Sequence, residues 1–120
     1  MTRSIFALAL ALTLATSAAA NDFELIEGAY ELSLSNVIMP NSQAGVVVFK
    51  TCRACESTGR AVGTRTRYLI GERELPLPDF LAAIEEIRAS AGAQGAFVGV
   101  HYDLKTNAIT RIRVVPETAQ

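Results

Sequence analysis

The chain has 120 residues, half of them apolar and 19% charged, with a formal net charge of −1. That length holds one domain, and the composition is neither disordered nor fibrous. So even a charge balance excludes bulk nucleic-acid binding, which relies on a large basic field, and no nucleic acid is expected as a partner.

The first twenty residues read as an export signal. Met1-Thr2-Arg3-Ser4 supplies one positive charge, Ile5 to Leu14 an uncharged apolar run, and Ala15 to Ala20 a small-residue tail, with Ala18-Ala19-Ala20 as the cleavage site before Asn21. A membrane anchor would need roughly 20 apolar residues, and Thr13, Thr16 and Ser17 weaken a shorter run. The expected organisation is a signal peptide over 1–20, a lead-in over 21–28, one globular domain over 29–115 and a tail over 116–120. The product is expected in the periplasm or secreted, with no membrane span after cleavage. Loss of Arg3 leaves 10 Lys+Arg against 12 Asp+Glu. The charge is uneven: Asp22, Glu24, Glu27 and Glu31 precede the basic stretch from Lys50 to Arg73.

Along the mature chain, Tyr30, Leu32 and Leu34 alternate with Glu31, Ser33 and Ser35, which predicts a half-buried strand ending at Met39-Pro40-Asn41-Ser42. Gly45 to Lys50 is β-branched and aromatic and predicts a central strand buried on both faces. A third strand is predicted from about Arg60 to Ile70, with Val62, Thr64, Thr66, Tyr68 and Ile70 on one face and Gly63, Arg65 and Arg67 on the other. Gly71-Glu72-Arg73 reads as a tight turn. Pro78 suits the start of a helix, Asp79 complements its positive end, and Leu77, Phe80, Leu81, Ile84, Ile87 and Ala91 form one apolar stripe that Gly92 closes. Val98, Val100 and Tyr102 then alternate with Phe97, Gly99, His101 and Asp103. After a turn at Lys105-Thr106-Asn107, Ile112 and Val114 alternate with Arg111 and Arg113.

The fold class is therefore mainly β, in the order β-β-β-α-β-β. It fits a small OB-like five-stranded barrel, or an antiparallel sheet with one helix packed on it. The barrel is favoured because it leaves no long strand edge exposed.

Cys52-Arg53-Ala54-Cys55 is the one compact motif, and it holds both cysteines. Outside the cytoplasm such a pair most simply forms a structural disulfide, pinning the turn between two strands. A redox-active dithiol normally opens a helix, where backbone N–H groups lower the thiol pKa, and no helix follows here. A copper or zinc site would need ligands beyond Cys52 and Cys55, with His101 the one histidine available, and Met39 and Asp103 as further donors. No nucleophile has a visible His-Asp partner arrangement, so no catalytic residue and no cofactor are expected. The strand parities turn Arg65, Arg67, Arg111, Arg113 and His101 away from the core. On neighbouring strands these would form a basic strip able to bind an anionic glycan or oligomer, unless Glu and Asp on adjacent strands pair with them.

The run Gly45 to Cys55, then Thr66-Arg67-Tyr68 and Leu77-Pro78-Asp79-Phe80, resembles small exported proteobacterial proteins that carry C-x-x-C, T-x-Y and L-x-x-F motifs and have no assigned activity. The resemblance covers about Gly45 to Phe80, carries over no site residue, and implies a periplasmic location. The expected function is that of a non-enzymatic periplasmic binding or structural module, stapled by Cys52 and Cys55, with an envelope protein or an anionic glycan as partner. The alternatives are a thiol-redox or metal-binding role for the C-x-x-C, and glycan binding by the arginine strip.

Overall fold

A computed structural model describes residues 26–90 and 95–117. The expected signal peptide, most of the lead-in, Ala91, Gly92 and the last three residues lie outside the described residues. The elements of the described residues follow in chain order: β1 (Glu27–Ser33), a 3-10 turn (Leu34–Asn36), β2 (Val37–Ile38), β3 (Val46–Phe49), β4 (Thr58–Ala61), β5 (Arg67–Ile70), β6 (Arg73–Leu75), α1 (Leu77–Ala89), β7 (Phe97–Asp103) and β8 (Ile109–Val115).

The strands form two sheets, one of five strands in the order β1-β7-β8-β5-β6 and one of three in the order β2-β3-β4. The five-stranded sheet is open, so the favoured barrel gives way to its alternative, a sheet with one helix packed across a face. Closure fails for two reasons. Pro76 cannot extend the ladder past the three-residue β6. The chain also divides its strands, because the 3-10 turn interrupts the first predicted strand and sends β2, which stops before Pro40, into a separate sheet with β3 and β4. Nor is the large sheet purely antiparallel, since β5 runs parallel to β8, with Tyr68 opposite Ile112.

The third predicted strand is really two. The Val62 N–H donates to the Gly45 carbonyl, closing the β3–β4 ladder, and the chain then turns. Within that turn the Thr66 N–H donates to Gly63 O, and the Gly63 N–H donates to Thr66 Oγ1. Alternation persists across the break because Val62 and Tyr68 are both buried, which hides the turn from the sequence pattern. The Gly71-Glu72 turn forms as expected, with Gly71 at φ 60, a conformation glycine adopts without steric cost. In the helix, Pro76 is the N-cap and Pro78 lies in the first turn. It ends at Ala89, with the Ser90 hydroxyl and N–H both donating to the Ile87 carbonyl.

One core unites these pieces. The inner face of the large sheet contributes Leu32, Val98, Val100, Ile112, Val114 and Tyr68, which join Phe80 and Ile84 of α1 and Val47 and Phe49 of β3 in a single buried cluster. The Tyr68 and Phe80 rings lie 5.1 Å apart on the helix side, and Tyr30 and Phe49 lie 5.0 Å apart on the small-sheet side. Gly28 makes room for Tyr102, because a Cβ there would fall 2.5 Å from that ring. β3 is central to its sheet but buried on one face only: Val47 and Phe49 are enclosed while Val46 is 47% exposed. The helix and small sheet thus cover the same face. On the opposite face Ala29, Glu31, Arg67, Glu74 and Phe97 are exposed, whereas Leu69 is buried.

Candidate functional site

That open outer face gathers the chemically capable side chains. Cross-strand partners share a face, so the register fixes which groups meet. One row runs from Ala29 through His101 and Arg111 to Arg67, and the next from Glu31 through Gly99 and Arg113 to Leu69 and Glu74. Four of the five residues expected on a basic strip therefore stand side by side. Arg65 does not join them, because it sits exposed in the turn between β4 and β5.

Three basic side chains in one row repel one another, and edge-strand carboxylates answer them. Glu27 of β1 sits at the centre: its Oε1 lies 3.3 Å from His101 Nδ1 and 3.3 Å from Arg111 Nε, and accepts the Thr110 hydroxyl at 2.8 Å. Arg67 turns to the other edge and grips Glu74 through Nε (3.0 Å) and Nη2 (3.1 Å). That pair raises the Arg67 pKa and lowers that of Glu74, chiefly through the hydrogen bonds. Arg113 Nη2 reaches the exposed Glu72 only at 4.0 Å. The face is a band of arginine flanked by acid, not an uncompensated basic strip.

In the two arginines of β8 the Nε atoms are left without a hydrogen bond. Arg111 Nε is near Glu27 but not aligned for a hydrogen bond, and the Nε atoms of Arg111 and Arg113 are both buried without a hydrogen-bond partner. His101 holds its proton less firmly than an ordinary imidazole: burial disfavours the charged ring, Arg111 adds repulsion, and Glu27 offsets only part of it. The ring edge lies over Gly99, whose hypothetical Cβ would be 3.0 Å from Nε2. Gly99 thus floors a recess of about 200 Å³ between His101, Arg113 and Glu31 on one side and Phe97 and Val115 on the other. Among the described residues, no hydroxyl or thiol is hydrogen-bonded to that imidazole.

Cys52 and Cys55 are joined in a disulfide at the tip of the β3–β4 hairpin, with Cα atoms 5.0 Å apart and the Cys55 N–H donating to Cys52 O. The staple lies where the C-x-x-C spacing put it. It belongs to the small sheet that covers the inner face, whereas His101 points from the outer face, so the fold does not bring His101 to the cysteines. Met39 instead borders the helix beside Leu81, and the Asp103 carboxylate accepts the Lys105 and Thr106 N–H groups in the β7–β8 turn. Among the described residues no cluster of three or more His, Cys, Asp or Glu side chains is placed to hold a metal ion, and no helix is long and apolar enough to cross a membrane.

Sequence reasoning missed Glu27, Thr110, Glu72 and Glu74 as partners of the basic residues. Extending the Tyr30–Leu32 alternation backwards would have put Glu27 on the outer face; treating 21–28 as a lead-in concealed it. Glu74 had no such signal, because β6 is too short to show a period. The chain matches no protein-family model, no curated protein and no solved structure.

Proposed function

We propose that the protein is a non-enzymatic binding or structural module of the bacterial envelope, periplasmic or secreted, that meets a partner protein with the outer face of its five-stranded sheet. One observation carries this: His101, Arg111 and Arg67 stand side by side on the outer face with Arg113 in the next row, and Arg113 reaches only the exposed Glu72, at 4.0 Å. A hydrogen bond to a charged group is worth about 1.5–3 kcal/mol, so a carboxylate or carbonyl on a partner gains from meeting the part of Arg113 that reaches the surface. The acidic flanks argue for a protein of mixed charge over a polyanionic glycan, which would have to displace Glu27 and Glu74. Phe97, 44% exposed beside the recess, adds the aromatic anchor such contacts commonly use.

The test is capture from an envelope extract with the native protein and with Arg113→Glu and Phe97→Ser variants. A protein retained by the native face and lost by both variants, with heparin retention unchanged by Arg67→Ser, is the expected result. An identical captured set for all three proteins refutes the proposal. Strong heparin retention that falls with Arg67→Ser assigns the face to an anionic glycan instead.

A further inference from the structure

We infer that β1 is a pairing edge for a second copy of this chain, joining two five-stranded sheets across a twofold axis at Tyr30. This goes beyond the binding role of the outer face and does not depend on it.

Natural sheets protect their edges with short strands, proline, lysine or bulges. The far edge of the large sheet follows that rule, since β6 has three residues and runs into Pro76. β1 does not. Its seven residues, EGAYELS, contain no proline, lysine or arginine, pair in unbroken register with β7, and close the other side of the sheet.

The direction of its free groups is fixed. The Leu34 N–H donates to Ala96 O and the Leu104 N–H donates to Ile26 O, which continues the register of Glu27 with Asp103 at both ends. In an antiparallel ladder the hydrogen-bonded residues alternate. The even-numbered residues therefore turn their backbone groups toward β7. Glu27, Ala29, Glu31 and Ser33 turn theirs to the open edge; the Ser33 carbonyl is taken by the 3-10 turn that Ser33 caps, and among the described residues no other backbone group bonds to the rest.

A second β1 placed antiparallel about Tyr30 sets Glu27 opposite the partner's Ser33 and Ala29 opposite the partner's Glu31. The free N–H and C=O groups on both edges then find complements, about six hydrogen bonds in all. The charges select this alignment. A shift by two residues in one direction puts Glu27 opposite the partner's Glu31, and in the other direction puts two copies of Glu31 face to face. Like charges directly opposite are destabilising. A one-residue shift would turn each side chain to the wrong face. The symmetric register alone combines full overlap with no acidic clash.

A single-strand seam is small, so the dimer should be weak, with Kd on the order of micromolar. Sedimentation equilibrium of the protein as purified from cells, over a wide concentration range, measures it. Ala29→Glu creates two symmetry-related Glu–Glu pairs with the partner's Glu31 and should raise Kd roughly tenfold; Ala29→Lys creates two attractive pairs and should lower Kd, with the gain lost at high salt. Ala29→Pro removes an outward N–H that β7 does not use and should leave a folded monomer. A native protein that stays monomeric at every concentration overturns the proposal, as does a dimer whose Kd none of these variants moves. Recovery of β1 paired with a strand of some other protein also overturns it.

Discussion

Glu27 shows how much one carboxylate oxygen can organise. It accepts from Thr110 and sits between His101 and Arg111, so two neighbouring strands are held to the sheet edge by one side chain. The imidazole in this cluster is held below the ordinary value near 6.5, first by burial and then by Arg111. The unfolded chain therefore binds more protons than the folded one once pH falls below about 6.5. Stability drops from there until the folded-state pKa is passed, and then levels. His101→Gln should remove that slope. Urea midpoints from pH 7.5 down to 5 check it, and an unchanged slope in the variant would mean that another group titrates.

Among the elements, the β3–β4 hairpin depends most on a covalent aid. Its strands have four residues each and carry Cys52 and Cys55 across an exposed tip. Closing so small a ring removes little unfolded-chain entropy, worth about 2 kcal/mol on the loop-closure relation. Cys52→Ser with Cys55→Ser should lower unfolding stability by about that amount, measured by denaturant melts, and leave the fold intact. A structural staple should also have a reduction potential below about −300 mV. A markedly higher potential, with little loss of stability in the double variant, would favour a thiol-redox role for the pair.

At the scale of the whole molecule, the helix and small sheet pack on one face and share a single core, so they should melt together. Phe80→Ala in α1 and Phe49→Ala in β3 each empty a fully buried site and should each cost about 3–5 kcal/mol. Both losses should appear in one cooperative transition monitored by far- and near-ultraviolet circular dichroism. Two separable transitions would show that the layers are independent. Much of this arrangement was legible in the alternation of Val98-Val100 and Ile112-Val114, and in the helical stripe through Phe80 and Ile84, because burial on one side imposes a period that sequence records directly. Arg67, His101, Arg111 and Arg113 were placed on a common side by the same logic. What escaped were events with no period: the 3-10 turn after Ser33, the two-residue β2, the turn at Gly63–Thr66, and the parallel meeting of β5 with β8. Each is decided by hydrogen bonds between distant segments.

That parallel meeting has a consequence for how the protein comes into being. β8 is the last of the described strands to be synthesised, yet it lies in the middle of the sheet, between β7 and β5. Until it inserts, β1–β7 and β5–β6 are two loose ribbons with no ladder between them. The five-stranded sheet therefore cannot be completed until β8 has been made, and the strands before it must wait unjoined.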